Sequence, residues 1–251
     1  MIKFFRRIRQ GLLTENPPRG NGSVRAGKFS KYLLYAVGEI FLVVVGILIA
    51  LQINNWNEKR KESITEQKML HALHEDLLIN INRLNDDIAL EHRSIKQANK
   101  IVNHLDERKP YSPSLDIVFA QALYSPDIII SKSSYESIRS IGFDIINSDS
   151  LQRGIINLFD VEYAQLIAET VRLENQFWPS SVLPMIHKHF RESEYRKLTP
   201  INYEALMEDT TYKNMVMHRT HFRRLALDLK TKALHHTEKL VEMIDKAIEK
   251  G

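Results

Sequence analysis

Histidines and serines are where chemistry would first be sought in this sequence. His71-x-x-His74 and His218-x-x-His221 each set two imidazoles about one helical turn apart, the spacing of half a metal site. The rest of such a site is missing. No Glu-x-x-His occurs, as the di-iron carboxylate bundles use, and no His-Glu-x-x-His of the zinc proteases. The chain has no cysteine, which removes disulfides, thiolate zinc sites and cysteine nucleophiles. No nucleophile elbow is present, and the serines at 131–140 and 148–150 stand where caps and turns need hydroxyls. Gly22, Gly27 and Lys28 imitate part of a phosphate-binding loop, but Phe29 replaces the magnesium-binding hydroxyl and no strand precedes it. The expectation is therefore no catalytic residue, no metal and no cofactor, with His74 packed as a polar residue and Tyr135 and Glu136 belonging to a capped helix.

The elements that would hold any site are helical. Only 9 glycines and 8 prolines appear among 251 residues, which favours long helices over a turn-rich sandwich. Tyr32 to Ile53 reads YLLYAVGEIFLVVVGILIALQI with Glu39 as its one charge. As a helix it spans about 33 Å, enough for a hydrocarbon core. A buried core helix or a cleaved signal peptide would be shorter or less apolar all round. Residues 1–31 carry eight basic side chains against Glu15, a local charge of +7 in a chain of total charge +4. The positive-inside rule places that tail in the cytoplasm and residues 54–251 outside, in the periplasm if the host is a Gram-negative bacterium. MIKFFRRIRQGLL mixes apolar and basic residues, as a segment lying on an anionic leaflet would, and PPRGNGSVRAG at 17–27 forms a flexible linker.

The MIKFFRRIRQ start followed by KYLLYAVGEIFLVVVGILIALQINNWNE resembles an uncharacterised family of bacterial single-span membrane proteins, a domain of unknown function. SSYESIRSIGFDIINSDSLQRGI at 133–155 is similar to a second pattern of that family. The resemblance implies topology and brings no activity, ligand or catalytic residue.

Within the span, Tyr35, Glu39, Val43, Gly46 and Ala50 share one helical face. Gly46-x-x-x-Ala50 lets another helix approach closely, and an intramembrane carboxyl calls for a partner. This face predicts a homodimer or a larger membrane-protein partner. The alternative is that Glu39 snorkels to the headgroups. Beyond Trp56, a helix over 64–108 shows a heptad seam, with His74, Ile81, Ile88, Ile95 and Val102 at a and Leu70, Leu77, Leu84, Glu91, Ala98 and Leu105 at d. That seam suits a parallel coiled coil. It suits equally well burial against later helices at about 112–124, 133–141, 149–177, 183–197 and from 203 or 212 to 249. In the last, Met215, Phe222, Leu225, Leu229, Leu240 and Ile244 define the apolar side.

The expected fold is thus all-α, one N-terminal transmembrane helix at 32–53 followed by an extracytoplasmic antiparallel helical bundle over 54–251 with long first and last helices. Its expected role is protein–protein interaction at the bacterial inner membrane, as accessory subunit, scaffold or sensor. A ligand-binding receptor or an enzyme with a pocket between helices stays open. Nucleic acid is not an expected partner, because the positive excess lies in a tail better suited to phospholipid.

Overall fold

No proline falls between Pro18 and Pro110, and one uninterrupted helix fills most of that interval: α1 runs Arg25–Asp106, 82 residues. The computed structural model describes residues 25–124 and 127–249. Residues 1–24, which hold most of the basic tail and residues 17–24 of the linker, lie outside the described residues, while Arg25, Ala26 and Gly27, expected in that linker, already belong to α1. The chain divides into two units, 1–60 and 61–251. Helix α1 ends as the Lys109 N–H reaches the His104 carbonyl, with Arg108 left-handed at φ 50° and Pro110 unable to continue the helix.

The second unit is helical apart from one hairpin. Short α2 (Leu115–Leu123) and α3 (Ser133–Ile141) precede α4 (Asp149–Ile156), whose first turn is capped by Ser148 accepting from the Leu151 N–H. The chain then stays helical through a π segment at Asn157–Tyr163, α5 (Ala164–Phe177), a second π segment at Trp178–Val182 and α6 (Leu183–His189). Pro179 does not break it, since the wider π turn at its start absorbs the missing donor. Strands β1 (Phe190–Glu194) and β2 (Lys197–Pro200) pair antiparallel, with a bulge between Glu192 and Glu194. Asn202 caps α7 (Tyr203–Glu208), and Asp209 caps α8 (Thr210–Ile248, 39 residues) by accepting from the Tyr212 N–H at 3.0 Å.

Three expectations need correction. The helix expected over 183–197 stops at His189: Phe190 and Leu198 are buried in the hairpin, and Arg196 turns it with φ 60°. The Ser133/Glu136 capping box does not form: the helix starts one residue early, with Lys132 at the cap, so the Glu136 N–H goes to the Lys132 carbonyl at 2.9 Å and the Ser133 hydroxyl donates to the carboxylate of Asp76 on α1 at 3.0 Å. Leu225, placed on the apolar side of the last helix, is exposed, and its neighbours Arg223 and Ala226 are buried. In α1 the d positions from Leu70 to Leu105 are buried as the heptads require, but the stripe leans towards Leu73, Asn80, Ser94 and Ile101, leaving the a positions half-buried. Later helices of the same chain cover it. Lys213 meets Asp106, Arg223 and Lys230 meet Glu91, and Asp245 meets His74, so α8 runs antiparallel to residues 61–106 of α1.

The interior divides into two apolar clusters. One gathers Leu70, Leu77, Tyr135, Phe159, Tyr163 and Ile244, the other Ile101, Phe119, Phe190, Leu206, Tyr212 and Val216. Gly154 shows how closely α4 and α8 approach in the first: a Cβ there would stand 3.2 Å from Leu240 Cδ1. Gly154→Ala gains about 1 kcal/mol of helix propensity and presses only on a flexible side-chain tip, so its stability in urea should stay within about 1 kcal/mol of wild type. Gly154→Val adds a branch the contact cannot take and should lose about 1–3 kcal/mol.

Candidate functional site

Between the two apolar clusters the packing becomes ionic. Arg219, Arg223 and Lys230 are 1%, 4% and 1% exposed, one and then two turns apart on one face of α8, and Glu91 of α1 is 3% exposed opposite them. Glu91 accepts from Arg223 Nη1 on one oxygen and from Lys230 Nζ on the other, each at 2.9 Å. Arg219 and Arg223 also close the end of α2. Arg219 Nε donates to the Leu123 carbonyl at 2.5 Å, and Arg223 Nη2 donates to the Tyr124 carbonyl at 2.6 Å. Two cations thereby sit at the negative end of a helix dipole.

The outer side of the layer is wetter. Arg219 Nη2 lies 3.0 Å from both oxygens of Glu174 on α5, whose side chain is 41% exposed, and its guanidinium stands 5.4 Å from the Trp178 ring centroid. Burial, with Arg223 beside it, draws Arg219 below its ordinary pKa, and Glu174 opposes that shift. Asp87 stands 3.9 Å from Lys230, and burial raises its carboxyl against the pull of that lysine. A cavity of about 100 Å³ opens here, bordered by Glu91, Glu174, Arg219, Phe222, Arg223 and Lys230. Arg223 Nε is buried without a hydrogen-bond partner among the described residues.

A second polar set on α1 holds the 131–147 segment in place. Asn80 exchanges two hydrogen bonds with the Ser131 backbone, at 2.8 and 2.7 Å. Asp76 accepts from the hydroxyls of Ser131, Ser133 and Ser134, and Glu66 accepts from the Asn147 N–H at 2.8 Å. Burial pushes the Asp76 carboxyl up, but the hydrogen bonds from Ser134, Ser131 and Ser133 outweigh it and hold the group below the usual carboxylate range. These carboxylates and amides act as joints between elements.

The residues expected from the sequence fall elsewhere. Glu39, Val43, Gly46 and Ala50 lie on one face of α1 and are exposed, and the side chain of Tyr35 is outside the described residues. His74 pairs with Asp245 at 3.1 Å, while His218 packs its ring on Phe177 and Phe222, so the two histidine pairs are held at different levels. Among the described residues no group of three or more His, Asp or Glu is arranged to hold a metal. Tyr135 is buried and stacks on Phe159 at 4.4 Å. The ionic layer escapes hydrophobic periodicity because its face of α8 is polar. Its trace in the sequence is Glu91 itself, an acid at a d position that needs a buried cation, and the basic residues at 219, 223 and 230 that recur on one helical face.

Fold and site together define an all-α protein that carries a helix long and apolar enough to cross a membrane and an ionic layer inside its helical domain. The chain belongs to a family of unknown function, DUF6090, whose model matches residues 39–218. That match takes in most of the apolar segment, the 133–155 pattern and Glu91. Arg219, Arg223 and Lys230 follow directly after it. No curated protein and no solved structure matches the chain.

Proposed function

We propose that the chain is a single-span inner-membrane protein, with its basic tail in the cytoplasm and residues 54–251 as a periplasmic helical bundle that works through protein contacts. Its role would be that of an accessory subunit, scaffold or sensor. The observation that carries this reading is the surface of α1. Ile40, Phe41, Leu42, Ile47, Leu48 and Ile53 each keep more than half their surface uncovered, and they point in all directions around the helix. Each would cost about 1.5–3 kcal/mol of unfavourable hydration in water, a penalty that hydrocarbon removes. The charge of the tail supplies the orientation, and Trp56, exposed just beyond the span, suits the interface. Reporter fusions after Glu58 test the topology: periplasmic activity is expected, and cytoplasmic activity there would overturn it.

The Glu39, Val43, Gly46 and Ala50 face is the proposed meeting surface for a second copy or a larger membrane protein. No side chain comes within 4 Å of where a Cβ on Gly46 would sit, so a partner helix has room to close on it. Single cysteines at Gly46 should cross-link under oxidation several-fold more than cysteines at Val45, and equal yields would remove the dimer. A second reading, a receptor with a pocket between helices, is favoured by the cavity in the ionic layer.

A further inference from the structure

We propose that the cavity between α1, α5 and α8 binds a short-chain carboxylate, whose head group engages Arg223 and Arg219 in place of Glu174. Three cations are almost completely buried here, against one equally buried anion, Glu91. The remaining negative charge comes from the rim, through Asp87 and the half-exposed Glu174. Glu174 already shows what the seat accepts, because both its oxygens rest on one Arg219 nitrogen. That hold is replaceable: one guanidinium nitrogen is shared between two oxygens, whereas a two-nitrogen fork would be stronger and more directional. Arg223, lining the same cavity, keeps its buried Nε–H unpaired, a state that costs free energy until an acceptor arrives.

Size and wall chemistry narrow the class. An apolar cavity of about 150 Å³ admits benzene with its six carbons, so the roughly 100 Å³ available here suits a carboxylate with a tail of only about one or two carbons. Phe222, Val171 and Ala226 give that tail an apolar wall. A phosphate dianion would present more acceptors than the two arginines have donors to spare, and it would have no use for the wall. The proposal rests on the second reading above, a pocket between helices, and is independent of membrane orientation.

The test uses the full chain in lipid nanodiscs, with propionate and uncharged propionamide as probes at matched ionic strength. At about ten times its dissociation constant, propionate should raise the midpoint of thermal unfolding by about 3 °C or more, and propionamide should not. Glu174→Gln removes the competing carboxylate from a wet position, and it should strengthen propionate binding about tenfold. Ala226→Leu fills the cavity without adding or removing a charge and should abolish the shift while the circular dichroism spectrum is kept. Equal shifts from both probes, cancelled by Ala226→Leu, would keep the pocket and overturn the carboxylate. No shift with either probe, in wild type or Glu174→Gln, would overturn both.

Discussion

Glu91→Ala should lower the free energy of unfolding by about 3–5 kcal/mol, read as a drop in the urea midpoint without a change in slope. The carboxylate is 3% exposed and serves two cations as deeply buried as itself. Its removal leaves Arg223 with only the carbonyls of Leu123 and Tyr124, and Lys230 with Asp87 at 3.9 Å. Both cations are almost completely buried, so water replaces little of what the carboxylate gives. The comparison that isolates this cause is Glu174→Ala. Its partner Arg219 is just as buried, but Glu174 itself is 41% exposed, so solvent already supplies much of what the carboxylate gives. That substitution should cost less than about 1 kcal/mol. Combining Glu91→Met with Lys230→Met should cost less than the sum of the two alone, because apolar residues of similar volume then replace a buried pair outright. Full recovery is not expected while Arg223 remains.

The same layer explains which parts of the fold were legible from residue order. Helix ends were, because they rest on local chemistry: Gly142 with φ 113° stops α3, Ser148 caps α4 and Pro110 follows α1. The membrane-length segment was legible for the same reason, since hydropathy needs no knowledge of neighbours. The expectations that needed correction were ones that depended on a distant partner. Ser133 and Glu136 satisfy the pattern of a capping box, yet the Ser133 hydroxyl is drawn to Asp76, 57 residues away, and the Glu136 N–H bonds the Lys132 carbonyl. The 190–197 stretch has charged residues compatible with a helix, and only the packing of Phe190 against Phe119 and Tyr212 makes an extended strand the better solution. On α8 the period of leucines pointed to Leu225, whereas the ionic demand of Glu91 turned Arg223 and Lys230 inward. A buried charge is decided by its partner, and the partner is 132 residues away.

Asp76→Ala is expected to cost about 2–4 kcal/mol, through the loss of a charged acceptor that anchors the start of α3. One carboxylate, itself 8% exposed, accepts from three serine hydroxyls and the Ser134 N–H, and an alanine would leave that N–H buried and unpaired. The same contacts make the joint sensitive to acid. Asp76 is held below its ordinary range, so its contribution is complete above the unfolded value near pH 4 and is lost as pH falls through the folded one. Asp209 carries the same sign. The hydrogen bond from Lys188 outweighs its burial, with the Tyr212 N–H and His189 adding to it, and its protonation would release the cap of α8. Asp87 runs the other way, since burial raises it and its stabilisation is present at low pH and lost as pH rises. Two lowered carboxyls at helix starts against one raised carboxyl give a net loss of stability below about pH 4. Urea midpoints measured from pH 7 downward should fall steeply there for the wild type. Asp76→Asn should start lower at pH 7 and fall less, because the group that would have taken up the proton is gone. A variant whose acid limb is as steep as that of the wild type would show that Asp76 does not govern the transition.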